Sequence, residues 1–281
     1  MHFSINTSKM NLEQLYKQIQ KKNTLLCVGL DSDPEKFPSH IKELENPIFE
    51  FNKAIIDATA EYCVAYKPNI AFYEAEGLKG WEQLKMTVDY IRSKYPDLFL
   101  IADAKRGDIG NTAARYAKAF FKEIDFDAIT VAPYMGADSI TPFLEYEGKW
   151  VIVLALTSNK SAEQFETLQL TDGMPLYEKV IKETISTIDT KTNGDSLNRL
   201  MFVIGATRPE KLKEIREFCP DHFLLVPGVG AQGGTMEEVA ENGLNSKAGL
   251  LVNSSRGIIF ASNGTDFAKK AAEAAKAMRL K

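Results

Sequence analysis

Eight short apolar runs, rich in β-branched residues and separated by amphipathic stretches, constrain the fold of this 281-residue chain more than any other feature. Nearly continuous apolarity over so few residues is typical of strands that are buried on both faces. Strands that alternate with helices form a parallel sheet, and eight such repeats close a (β/α)8 barrel. The pattern therefore predicts a TIM barrel, with a doubly wound open sheet as the alternative. The eight runs are Thr24–Leu30, Cys63–Lys67, Leu98–Ala104, Ala128–Ala132, Trp150–Leu156, Met201–Ile204, Phe223–Val226 and Gly249–Val252.

The amphipathic stretches between these runs predict the helices of the barrel. They are Phe49–Tyr62, Trp81–Lys94, Thr112–Ile124, Leu176–Ile188 and Lys211–Phe218. An extra N-terminal helix, Asn11–Lys22, and a closing helix, Thr265–Arg279, are expected to flank them. No Pro- or Gly-rich linker divides the chain, so residues 1–281 are interpreted as one domain.

The longest irregular segment, Ser158–Pro175, follows the fifth predicted strand. Such a loop is either a lid over a binding site or a tolerated surface insertion. Active sites of these barrels lie at the carboxyl ends of the strands, and that position favours a lid.

Charge and cysteine content narrow the function classes. The chain has 34 Lys and Arg against 38 Asp and Glu, a net charge of -4, which argues against broad nucleic-acid binding. A small anionic ligand remains compatible, because a few placed cations can bind it. Cys27 and Cys63 lie inside apolar runs, as buried cysteines of a reducing cytoplasm do. The chain shows neither a membrane-length apolar run nor a signal-peptide pattern, and a cytoplasmic location is expected.

The spacing of potential metal ligands does not predict a metal site. The three histidines, His2, His40 and His222, lie far apart in the sequence. The segment Asp31-Ser32-Asp33 is followed by Pro34, and the other ligands of a calcium loop are absent.

Charged residues end the third apolar run. Asp103 and Lys105 are two residues apart, so a regular strand would point both side chains to one side, at the barrel mouth. Asp108 follows three residues later, in the next turn. An acid–lysine pair at the end of one strand usually only marks where the strand reaches solvent. This pair alone is therefore weak evidence of a functional site.

The first two runs end in polar residues as well. Lys67 ends the second run, Asn69 follows it with the same spacing of two, and Asp31 follows the first run. Charged groups after three successive buried strands are harder to explain as surface, since strand ends of a barrel converge on one site. The sequence therefore predicts an active site built from these groups.

The last two runs lead into segments suited to an anion. Pro227–Gly234 contains four glycines, and Asn253–Gly257 contains Arg256. Glycines let the backbone approach a ligand closely, and arginine matches phosphate oxygens. A glycine-rich loop alone is more often a plain turn. Because the loops after strands seven and eight bind phosphate in many such barrels, the pairing predicts a phosphate site with Gln232 as a neutral donor.

The segment 103–112, Asp-Ala-Lys-Arg-Gly-Asp-Ile-Gly-Asn-Thr, resembles the signature of orotidine 5'-phosphate decarboxylases. The resemblance runs nearly end to end, from Cys27–Asp31 to Ser254–Gly257. It is closest to the longer bacterial branch, type 2, through Leu156–Asn159 after the fifth run and Gly205–Thr207 after the sixth. The departure is Ser255, because many members have glycine immediately before the arginine.

The resemblance implies a carboxy-lyase that converts orotidine 5'-monophosphate to UMP and CO2, the last step of de novo UMP biosynthesis. The reaction would need neither a metal nor an organic cofactor. The catalytic array would be Lys67, Asp103, Lys105 and Asp108. Lys105 would donate the proton, and Asp103 would disfavour the departing carboxylate and keep Lys105 charged.

The resemblance also implies the binding groups and the assembly. Asp31, Lys67 and Asn69 would face the ribose hydroxyls, Thr157 and Ser158 the pyrimidine amide edge, and Gln232 and Arg256 the phosphate. The enzyme would be a homodimer, with Asp108 and Thr112 reaching into the partner's site.

Two other functions are alternatives to this one. Related sugar-phosphate decarboxylases and aldolases carry a similar Asp-x-Lys-x-x-Asp motif but use magnesium, with an acidic ligand at the position of Lys67. A lysine there would repel the cation. A catalytically silent barrel that only binds nucleotides or a partner protein is disfavoured by the intact array.

Overall fold

Eight parallel strands close into a barrel in sequential order in this computed structural model, which describes residues 10–206, 209–229 and 234–280. The strands are β1 (Leu26–Leu30), β2 (Ala65–Pro68), β3 (Phe99–Arg106), β4 (Ala128–Val131), β5 (Trp150–Leu156), β6 (Leu200–Ile204), β7 (Phe223–Pro227) and β8 (Leu250–Ser254). β8 pairs with β1, with Val28 opposite Ser254, and this closure rules out the open sheet. The TIM-barrel prediction is confirmed.

Helices surround the strands. They are α1 (Leu12–Lys22), α2 (Ser39–Lys42), α3 (Pro47–Thr59), α4 (Ile70–Glu74), α5 (Gly77–Lys94), α6 (Gly110–Lys118), α7 (Leu176–Thr192), α8 (Pro209–Phe218), α9 (Met236–Gly243), α10 (Arg256–Ile259) and α11 (Phe267–Ala277). A wider π turn, Ala119–Glu123, continues α6. The expected strict alternation is wrong at one place. The described connection from β4 to β5 holds only two short 3-10 turns, Ala137–Ser139 and Thr141–Glu145.

Local sequence signals set where several helices begin. The Asn11 side chain accepts a hydrogen bond from the Gln14 backbone N–H, and the Gln14 side chain accepts one from the Asn11 N–H. This capping box satisfies two donors that the first turn of α1 leaves free. Thr235 and Glu238 form the same box at the start of α9, a helix that the sequence analysis did not name.

The core lies inside the barrel and between the strands and helices. All five residues of β1 and of β6 are buried, as strands covered on both faces require. Trp150 is fully buried, and its indole N–H donates to the Met10 carbonyl at 2.6 Å. That bond fastens the segment before α1 to the first residue of β5. Cys27 and Cys63 are buried free thiols, as predicted.

Among the described helices, none is both long enough and apolar enough to cross a bilayer.

Candidate active site

A polar cleft of about 540 Å³ opens at the carboxyl ends of the strands. It brings together five of the residues that the sequence predicted for the site, on strands or loops far apart in the chain. The cleft is lined by Asp31, Lys67, Asn69, Asp103, Pro227, Gly228, Val229, Asn253, Ser254, Ser255 and Arg256.

The carboxylate of Asp103 lies between two lysines. Lys67 Nζ donates to Asp103 Oδ2 at 2.7 Å, and Lys105 Nζ donates to Oδ1 at 2.5 Å. The Lys67 and Asp103 side chains are 5% and 11% exposed, whereas the Lys105 side chain is 50% exposed. The two ammonium groups therefore have different environments: Lys67 is buried, and Lys105 stands at the mouth, where it can meet a ligand.

The charges in this cluster stabilise one another in their ionised forms. Burial by itself raises the pKa of Asp103, but the ammonium groups of Lys67 and Lys105 outweigh it and hold that pKa well below its usual range. Burial by itself lowers the pKa of Lys67, but the carboxylates of Asp103 and Asp31 outweigh it and hold that pKa well above its usual range. Asp103 is consequently a carboxylate and Lys67 an ammonium at neutral pH.

Lys105 reaches this position through an irregular backbone and not through the regular alternation used to predict it. Its backbone φ is +47°, in the left-handed region that residues other than glycine rarely adopt. β3 pairs with β4 at Ala102 opposite Ile129 and at Arg106 opposite Val131. Four steps along β3 thus match two along β4, and the extra residues form a bulge. The predicted proximity of the two side chains is observed, but the period-two argument for it was wrong.

The cleft also presents groups that suit hydrogen-bond donors and an anion. Asp31 Oδ1 and Asn253 Oδ1 are buried and accept no hydrogen bond from any described residue. Buried acceptors normally find a donor, which a bound ligand can supply. Arg256 is exposed at the rim of the cleft. Gln232, which the sequence analysis placed here, lies outside the described residues.

Gly29 leaves room for the side chains of Ser255 and Asn253, which line the cleft. A Cβ atom on Gly29 would lie 1.8 Å from Ser255 Oγ and 3.2 Å from Asn253 Oδ1. Any larger residue would displace the Ser255 side chain and crowd the Asn253 amide. In the sequence, Gly29 stands only within the Cys27–Asp31 motif, and Asn253 was not predicted as a functional residue. A buried polar residue in an apolar run was the signal available.

Thr157 and Ser158 lie in a second recess, together with Asn159 and Gly205. The Thr157 backbone N–H donates to Glu166 Oε2 at 2.6 Å, and its hydroxyl lies 2.8 Å from Glu166 Oε1. Glu166 belongs to the long loop after β5 and was not singled out from the sequence. The loop is therefore tied to the end of β5 by one carboxylate. Thr207, part of the motif after β6, lies outside the described residues.

Asp108 and Thr112 are not part of the cleft of their own chain. The Asp108 carboxylate accepts a hydrogen bond from the Ile109 backbone N–H at 2.7 Å. No hydrogen bond joins it to Lys105 within the described part of the chain, and Thr112 is exposed on α6.

Residues 24–271 match the protein family described as orotidine 5'-phosphate decarboxylase / HUMPS. The chain belongs to this decarboxylase family. It is 56% identical over 267 residues to an orotidine 5'-phosphate decarboxylase of Phocaeicola vulgatus, covering 95% of this chain and 96% of the relative. It is 58% identical over 266 residues to the enzyme of the same name from Flavobacterium johnsoniae, covering 95% and 94%.

The fold of a solved family member agrees with this one. The structure of orotidine 5'-phosphate decarboxylase (OMP decarboxylase) from Leishmania donovani superposes with a TM-score of 0.77 at 35% identity, covering 96% of this chain and 99% of that one. The family resemblance implied by the segment 103–112 is thereby confirmed.

Proposed function

We propose that this member of the orotidine 5'-phosphate decarboxylase family works without a metal or an organic cofactor, with Lys105 as the proton donor. The chain is a carboxy-lyase that converts orotidine 5'-phosphate to UMP and CO2 in pyrimidine biosynthesis, the activity named for relatives 54–58% identical over most of its length. The observation that carries the proposed mechanism is the Lys67–Asp103–Lys105 cluster at the barrel mouth.

The chemistry requires a group that stabilises negative charge on carbon. When the bond to the carboxylate breaks, CO2 leaves and the electron pair stays on a pyrimidine ring carbon. An ammonium group beside that carbon stabilises the charge and then transfers a proton to it, which forms the new C–H bond. The lysine becomes a neutral amine and regains a proton from solvent.

The environments of the two lysines favour Lys105 over Lys67 as that donor. Lys67 is buried, donates to Asp103 at 2.7 Å, and has a raised pKa, which makes it a poor acid. Lys105 is half-exposed at the mouth, where the ring can reach its ammonium group. Asp103 holds Lys105 in position and, as a fixed carboxylate, disfavours a second carboxylate beside it.

The donor chemistry of the cleft does not favour a cation. Both oxygens of Asp103 already accept hydrogen bonds from ammonium groups, and the charge of Lys67 would repel a cation placed between Asp31 and Asp103. Among the described residues, no cluster of three or more histidine, cysteine, aspartate or glutamate side chains could hold a metal ion.

The remaining groups fit the rest of the substrate. Asp31, Lys67 and Asn69 line the same cleft as Arg256, and the ribose would lie against them if Arg256 binds the phosphate. Thr157 and Ser158 would bind the pyrimidine amide edge, and Gln232 would assist Arg256 at the phosphate.

The site would be completed by a second subunit. Asp108 and Thr112 do not line the cleft of their own chain. Exposed apolar side chains lie close to them in the sequence or on the loop after β4. Ile109 is 49% exposed and Tyr134 95% exposed. A contiguous apolar patch at a surface marks a contact site, and these side chains would form part of one. In the proposed homodimer these residues pack against the partner, and Asp108 and Thr112 enter the partner's cleft.

We further propose that residues 1–281 act as one domain and that the enzyme works in the cytoplasm. Three free buried cysteines suit a reducing compartment.

Turnover of orotidine 5'-monophosphate by the purified protein tests the mechanism. It is measured as the loss of substrate absorbance, with and without EDTA. We expect the same rate in both conditions. An activity abolished by EDTA and restored by magnesium would favour the metal-dependent sugar-phosphate branch instead.

The Lys105→Ala variant tests the proton donor. We expect turnover to fall by roughly 100- to 10,000-fold or more, with UMP still bound and the fold intact. Lys122→Ala, which removes an exposed lysine outside the cleft, is the matched control and should keep wild-type turnover. A Lys105→Ala enzyme that retained more than about a tenth of the wild-type rate would assign the proton to another group.

A further inference from the structure

Thr130 lies on β4 directly opposite the bulge of β3. The paired residues Ile129 and Val131 flank it, so it is the one β4 residue between the two ends of the bulge. Its side chain is buried, with 1% of the residue exposed. A threonine among the apolar neighbours of β4 is the one polar side chain that this strand presents.

The Thr130 hydroxyl joins the two parts of the charged cluster. It accepts a hydrogen bond from the Lys105 backbone N–H at 2.9 Å. It donates to Asp103 Oδ1 at 3.1 Å, the same oxygen that accepts from Lys105 Nζ. One hydroxyl therefore contacts the backbone of the lysine and the carboxylate that binds its ammonium group.

These contacts replace hydrogen bonds that the bulge removes from the β3–β4 pairing. The extra residues of β3 cannot make regular ladder bonds to β4, and the left-handed backbone of Lys105 is disfavoured on its own. The Thr130 hydroxyl takes the place of a backbone acceptor for the Lys105 N–H. Because it is buried and bonded on both sides, it can fix both the backbone conformation and the carboxylate.

We propose that Thr130 is a positioning residue for decarboxylation, which holds Lys105 in its left-handed conformation and aligns Asp103 with its ammonium group. The inference rests on the proposed role of Lys105. Thr130 does not line the cleft, so it acts through these two residues and not through contact with the substrate.

Two substitutions separate the hydroxyl from the shape of the side chain. Thr130→Val keeps the volume and removes the hydroxyl, whereas Thr130→Ser keeps the hydroxyl and removes a methyl group. We expect kcat of Thr130→Val to fall by about 10- to 100-fold, the effect of displacing a reacting group by a fraction of an ångström to 1 Å. KM and the Kd of UMP should change by less than about threefold, since the binding groups are untouched. Thr130→Ser should stay within about threefold of the wild-type kcat.

A matched control removes a buried hydroxyl elsewhere. Thr59 is fully buried, donates to the Ile55 carbonyl within α3, and contacts neither Asp103 nor Lys105. Thr59→Val should leave kcat unchanged. The crystal structures of the two Thr130 variants provide a readout that needs no turnover: Lys105 should leave the left-handed region in Thr130→Val and keep it in Thr130→Ser.

The outcomes distinguish this inference from the mechanism on which it rests. A Lys105→Ala variant with the wild-type rate would refute the proton-donor role of Lys105. The crystal structures of the Thr130 variants would still test the positioning role. A Thr130→Val enzyme with wild-type kcat and an unchanged Lys105 would overturn the positioning role. So would a folded Thr130→Ser enzyme as slow as Thr130→Val, because packing and not the hydroxyl would then matter.

Discussion

The same residue type has two different environments at this site, because burial and partners differ. Lys67 is enclosed with Asp103 and has a raised pKa, whereas Lys105 is half-exposed. The lowered pKa of Asp103 means that its contribution to stability is present above the unfolded pKa of about 4 and is lost as pH falls through the folded value. The raised pKa of Lys67 means that its contribution is present below about 10.5 and is lost only as pH rises through the folded value. The pair therefore stays ionised throughout the physiological range.

Arg256 can be tested as the phosphate-binding residue with a matched pair of substrates. Arg256→Ala should raise KM and lower kcat together for orotidine 5'-monophosphate, because binding energy from the remote phosphate can organise the reacting end. Orotidine, which lacks the phosphate, should lose far less from the same substitution. The ratio of kcat/KM between wild type and variant is measured for both substrates. Equal losses would show that Arg256 does not contact the phosphate.

At the scale of strands and helices, the apolar pattern predicted most of the barrel. β5 was predicted with the bounds observed, Trp150–Leu156, because seven consecutive apolar residues are typical of a doubly buried strand and too short for an ordinary helix. The bulge of β3 could not be predicted, since the contact that the Lys105 backbone makes there is with Thr130, a residue of another strand. The predicted alternation of strands and helices was wrong for the β4–β5 connection, a segment whose sequence has no helical period. The capping box at Thr235 was readable and would have marked α9.

The part of the site that could be predicted consists of residues at the carboxyl ends of the strands. The clustering of Asp31, Lys67, Asn69 and Asp103 follows from parallel strands that end at one rim. The unpaired Asn253 Oδ1 and the Glu166 contact arise from tertiary packing between segments far apart in the chain. No local pattern indicates such contacts, and only the assembled barrel shows them.

The loop after β5 remains a predicted lid, and its attachment offers a test. Glu166 is the carboxylate that binds the Thr157 backbone and hydroxyl. Removing it in Glu166→Ala should loosen the loop and displace Thr157, and KM should rise by roughly tenfold or more, the cost of about one hydrogen bond to a charged group. Gln164→Ala, an exposed position on the same loop, is the control. Limited proteolysis of the loop should accelerate only in Glu166→Ala. Unchanged KM and proteolysis would show that this contact does not order the loop.

For the whole molecule, charge is distributed unevenly in a way that suits an anionic substrate. The chain carries a net charge of -4, yet Lys67, Lys105 and Arg256 all lie at one mouth of the barrel. Local positive charge in a cleft attracts anions even when the whole protein is acidic. The same mouth carries Asp108 and the exposed apolar residues proposed to meet a partner. Substrate binding and assembly are thus expected at one end of the barrel, while contacts such as Trp150 to Met10 stabilise the other.

The shared site can be tested by mixing two inactive variants. If Asp108 serves the neighbouring subunit, Lys105→Ala and Asp108→Ala each damage every site of their own homodimer. A mixed dimer places both lesions in one site and leaves the other intact. Random reassortment of equal amounts makes half of the dimers mixed, so roughly a quarter of all sites should recover. Lys105→Ala mixed with Lys67→Ala is the control, because both lysines contact the Asp103 of their own chain and every site keeps a lesion. If Asp108→Ala behaves like that control, and turnover does not recover on mixing, Asp108 acts within its own chain and the shared site must be abandoned.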